Sequence, residues 1–103
     1  VTKVNKQELK LNNSNLIFSH VMRIIAELPH PDFKISILFM NQKYIVKIEQ
    51  GTLEQTYKIS EMDLTDGVNS VFELLDEEFL KTVGTRFTEM RKDYKDTYYR
   101  YNF

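Results

Sequence analysis

Between residues 33 and 59 the chain reads FKISILFMNQKYIVKIEQGTLEQTYKI, three stretches of alternating apolar and polar positions separated by two short interruptions. A period of two marks strands, whose side chains point alternately to opposite faces of a sheet. The pattern therefore predicts a three-stranded antiparallel meander over 33–40, 43–50 and 53–59. A two-residue loop at Asn41 and Gln42 pairs Phe39 with Tyr44, Ile37 with Val46 and Ile35 with Ile48 on one apolar face. The same register sets Lys34 opposite Glu49, an attractive cross-strand pair. Gln is a poor second residue for so tight a turn, which leaves a slightly longer loop as the alternative. Gly51 and Thr52 suit a hairpin turn that needs Gly first, and they set Val46 against Tyr57 and Tyr44 against Ile59. They also oppose Glu49 and Glu54, a conflict that a bulge at Gly51 would relieve.

The apolar period lengthens on both sides of the meander. Over residues 15–28, Ile17, Val21, Ile24, Ile25 and Leu28 form the stripe of an amphipathic helix after the candidate caps Asn12, Asn13 and Ser14. Pro29 and Pro31 end it, because proline cannot donate to the helix ladder. Beyond a connection at 60–66, Val68, Val71, Phe72, Leu75, Phe79, Val83, Phe87, Met90 and Tyr94 recur at steps of three or four and predict a long helix over 68–96. Gly84 is the one plausible break, but the stripe keeps its phase across it, which favours a continuous helix. Such a helix would measure roughly 43 Å, against about 27 Å for an eight-residue strand. Phe87, Met90 and Tyr94 would then project past the sheet, to be covered by the first helix or by a second subunit. Residues 1–12 read as a disordered arm or an added edge strand, and 97–103 as a separate aromatic and basic tail.

The expected architecture is thus α+β, in the order α-β-β-β-α, with both helices on the Phe33–Ile35–Ile37 face. Composition bounds it further: 103 residues with 42% hydrophobic and 28% charged positions describe one folded domain. The absence of cysteine removes disulfides, thiolate nucleophiles and sulfur-ligated zinc. No apolar run approaches the ~18 residues of a membrane span, and VTKVNKQELK lacks the core of a signal peptide, so the chain reads as cytoplasmic. A formal net charge of −1 provides no global field for nucleic acid or anionic lipid.

Candidate chemistry is sparse. His20 and His30 have no third ligand at metal spacing, and no cofactor motif is present. Asp76, Glu77 and Glu78 read as a solvated helix face, since consecutive helical positions diverge. No serine sits in a nucleophile elbow, and an enzyme is not supported. Two surfaces stand out instead. On the second face of the sheet, Leu38, Met40 and Ile45 form a small apolar island among lysines, open to a partner if both helices cover the first face. Near the C-terminus, Tyr94, Tyr98, Tyr99 and Tyr101 interleave with Arg91, Lys92, Lys95 and Arg100, while Asp93 and Asp96 dilute the charge.

The element order is similar to that of the double-stranded RNA-binding domain. That family implies a long histidine-bearing loop between its first two strands and a lysine cluster opening its last helix, whereas here the loop is MNQK and the helix opens DLTDGVNSVFELLDEE. The placing of helices against a short sheet also resembles small dimeric secretion chaperones, though no motif carries that likeness. No family is assigned. The sequence favours a non-enzymatic protein–protein interaction module, a homodimer or a partner of another protein, acting through Leu38, Met40, Ile45, Phe87, Met90, Tyr94, Tyr98, Tyr99, Arg100 and Tyr101. The alternative is nucleic-acid binding by the tail and the lysine-bearing sheet face.

Overall fold

The computed structural model describes residues 22–102. The arm at 1–12, residues 15–21 of the expected first helix, His20 and Phe103 lie outside the described residues. The described chain runs β1 (Arg23–Leu28), β2 (Lys34–Met40), β3 (Lys43–Gln50), β4 (Leu53–Ser60), a 3-10 turn (Glu61–Asp63), α1 (Gly67–Leu74) and α2 (Glu77–Asn102). The strands form a four-stranded antiparallel sheet in the order β1-β2-β3-β4.

The meander follows the predicted register throughout: Phe39 faces Tyr44, Ile37 faces Val46, Lys34 faces Glu49, and across the next hairpin Val46 faces Tyr57 and Tyr44 faces Ile59. The first loop has only two residues, Asn41 and Gln42, both in the left-handed region at φ 53 and 62. Glu49 stays opposite Glu54 with no bulge between them. The Glu54 carboxylate instead accepts a hydrogen bond of 2.6 Å from the Thr56 hydroxyl.

Residues 23–28 form an edge strand and not the end of a helix. RIIAEL is ambiguous, because Ile24, Ile25 and Leu28 satisfy the helical spacing while Ile24, Ala26 and Leu28 satisfy alternation. Tertiary pairing decides between them. As an outer strand β2 would leave a row of unpaired backbone groups beside its most apolar segment, and β1 satisfies that row. Its ladder skips Ile25, pairing Ile24 with Leu38 and Ala26 with Ile37. The bulge brings Ala26 and Leu28 against the core.

The core lies between the sheet and both described helices. Phe33, Ile35 and Ile37 from β2 and Tyr44, Val46 and Ile48 from β3 meet Val71 of α1 and Val83 and Phe87 of α2. Each such side chain contributes about 1.5–3 kcal/mol on full burial. The Phe33 and Phe87 rings pack 5.6 Å apart. Gln55 on β4 donates its amide to the Val83 carbonyl at 3.0 Å, and the Tyr57 hydroxyl donates to Gln55 Oε1 at 2.8 Å.

The long helix is interrupted, but not at Gly84. The break falls at Leu75 and Asp76, where Leu75 leaves the helical region at φ −86, ψ 56. The Asp76 carboxylate then accepts the Phe79 amide hydrogen at 2.8 Å and starts α2. Glu77 and Glu78 follow in the first turn, where the helix dipole favours negative charge. Gly84 remains helical and half-buried, beside the Phe33 ring. At its other end α2 continues through Asn102, so residues 97–102 are the last turns of a 26-residue helix and not a separate tail.

Candidate interaction surface

The second face of the sheet is not the open patch its composition suggested. Leu38 and Ile45 retain only 8% and 4% of their exposure, Ser36 beside them is also buried, and Met40 is half-buried. β1 makes β2 an interior strand and sets Ile24 beside Leu38. Lys34, Lys43 and Lys58 remain exposed around this patch.

The other candidate surface is the stripe along α2, and the structure divides it. Leu80 is half-buried, Val83 and Phe87 are enclosed against the sheet, and Met90 is half-buried at its margin. Phe87 is thus a core residue and needs no second subunit to cover it. From Arg91 to Asn102 every residue is exposed, including Tyr94 at 65%, Tyr98 at 54%, Tyr99 at 51% and Tyr101 at 85%. A 26-residue helix spans about 39 Å at 1.5 Å per residue, and its distal half passes beyond the strands beneath its proximal half.

Where the helix leaves the sheet, a polar junction holds it. The Arg91 guanidinium donates to the Gln50 side-chain carbonyl and, at 3.4 Å, to the Thr88 hydroxyl. The Gln50 amide in turn donates to the Asp32 carbonyl at 3.3 Å. Beyond it, contacts run along the helix itself. Lys92 bonds Asp96 at 3.0 Å, Arg100 bonds the Thr97 hydroxyl at 3.0 Å, and the Asn102 amide bonds the Tyr98 carbonyl at 2.9 Å. The Lys92 ammonium is held above its ordinary pKa range, first by the hydrogen bond to Asp96 and then by the charge of that carboxylate. Lys95 stands 6.0 Å over the Tyr99 ring, and the Tyr94 and Tyr98 rings lie 6.3 Å apart. The cations thus have intramolecular partners.

A feature with no signature in the alternating pattern lies at the helix break. Val46, Tyr57, Ile59, Val71, Leu75 and Phe79 line an apolar cleft of about 290 Å³, with the Tyr57 ring edge-on to Phe79 at 5.3 Å. The signal that could have found it is the cap at Asp76 followed by two glutamates, since a helix restarting there opens a notch. His30 stacks on Phe33 at 4.6 Å, and its Nδ1 accepts the Asp32 amide hydrogen at 3.0 Å. Among the described residues no group of three His, Asp or Glu side chains could hold a metal ion, and no helix is long and apolar enough to cross a membrane. Comparisons with family models, with curated proteins and with solved structures find no match to this chain.

Proposed function

We propose that this chain is a non-enzymatic interaction module that associates with a second copy of itself through the distal half of α2. One observation carries the reading: the stripe enclosed by the sheet at Val83 and Phe87 continues, without change of spacing, through exposed Tyr94 and Tyr101. Large tyrosines repeated along one side of a helix that has left its own sheet are the kind of surface a partner helix covers. Tyrosine suits such a site because its ring buries well while its hydroxyl tolerates water. Nucleic-acid binding ranks second, since Lys92 is paired with Asp96 and Asp93 dilutes the positive charge of this segment. Sedimentation velocity across a wide concentration range tests the proposal. A weight-average mass that rises with concentration supports it, and a monomer at every concentration removes it.

A further inference from the structure

The spacing and charges of the distal helix constrain how two copies would meet, and this step rests on the self-association reading above. Leu80, Val83, Phe87 and Met90 follow alternating steps of three and four, and the same rule continues to Tyr94, Thr97 and Tyr101. That is the seam of a two-helix coiled coil, in which residues flanking the seam pair across the interface. Asp93 and Arg100 lie on one flank of the exposed part, Arg91 and Tyr98 on the other.

We infer that the two copies pair their distal helices antiparallel, with Tyr94 of each copy against Thr97 of the other and Met90 against Tyr101. In this register Asp93 of one copy meets Arg100 of the other, twice by symmetry. Arg91 meets Tyr98 on the opposite flank, also twice, and its guanidinium is already positioned by Gln50 and Thr88. A parallel arrangement loses these pairs and brings Arg86 toward Arg91 instead. Sliding the antiparallel pair by one heptad toward the sheet would require Phe87 and Val83, which the core encloses. Sliding it the other way discards layers. The favoured register uses every exposed seam position and, of the residues packed against the core, only half-buried Met90 at its margin. Its overlap, Met90 to Tyr101, is about 18 Å long. That is small for a stable interface, so association is expected to be concentration-dependent.

The chain has no cysteine, so introduced thiols report cleanly. Tyr94→Cys and Thr97→Cys proteins, mixed and mildly oxidised, are expected to cross-link to each other in preference to themselves, as are Met90→Cys with Tyr101→Cys. Self-cross-linking of each variant would overturn the antiparallel register, as would a sedimenting dimer that gives no cross-link in either mixture. Both outcomes leave self-association standing, whereas a monomer in sedimentation removes both claims. Charge exchange supplies an independent check at exposed positions. Asp93→Arg and Arg100→Asp should each weaken association about tenfold and the double variant should recover most of it. No recovery would overturn the register.

Discussion

The ring of Phe33 lies 3.5 Å from the point where a β-carbon on Gly84 would stand, which is ordinary van der Waals contact. The backbone of α2 is therefore close to β2 without requiring glycine. Gly84→Ala is expected to stabilise the chain by about 0.5–1 kcal/mol, because glycine loses more backbone entropy in a helix than alanine does. Gly84→Leu would drive a longer side chain into the Phe33 ring and cost roughly 1–3 kcal/mol. Urea unfolding of the two variants should show midpoints moving in opposite directions.

The start of α2 depends on one carboxylate. Asp76→Ala removes the acceptor for the Phe79 amide hydrogen and should cost about 1 kcal/mol, whereas Asp76→Asn should retain most of the stability. Equal losses for both variants in chemical denaturation would mean that the cap contributes little.

The first hairpin carries strain at Gln42, a non-glycine residue at φ 62. Gln42→Gly should raise stability by roughly 0.5–1 kcal/mol, since Asn-Gly is the sequence such a turn favours. Thermal unfolding would register the gain as a higher midpoint with the same cooperativity.

The division of the α2 stripe separates folding from association. Phe87→Ala empties a fully enclosed site and should cost about 3–5 kcal/mol. The double variant Tyr94→Ala, Tyr101→Ala touches only exposed positions. It should leave the unfolding transition of dilute protein nearly unchanged while suppressing the concentration-dependent rise in sedimentation mass.

The meander was legible in the sequence because three signals agree there: alternation fixes the faces, loop length fixes the register, and Lys34 against Glu49 confirms it. β1 was not, because RIIAEL meets both periodicities and only the need to pair β2 chooses between them. The interruption of the long helix was hidden for a related reason. Leu75 and Phe79 are four apart, so the stripe keeps its phase through the break, and the capping aspartate resembles a solvated charge. Of the surface residues, the exposed tyrosines were recognisable by composition. Where the core ends, between Phe87 and Tyr94, depends on where the sheet stops beneath the helix.

The junction of Arg91, Gln50 and Asp32 joins the base of the projecting helix to the end of β3 and to the connection between β1 and β2. In a single copy it acts as the root of a cantilever. Helical turns before it share the protection of the core, while those after it open by local fraying, with little free energy holding them shut. Amide hydrogen exchange in dilute protein should therefore fall into two regimes meeting near Arg91, slow at Val83 and Phe87 and fast from Tyr94 onward. Raising the protein concentration should slow the second regime alone, so the outer turns would owe their persistence to company and not to their own sequence.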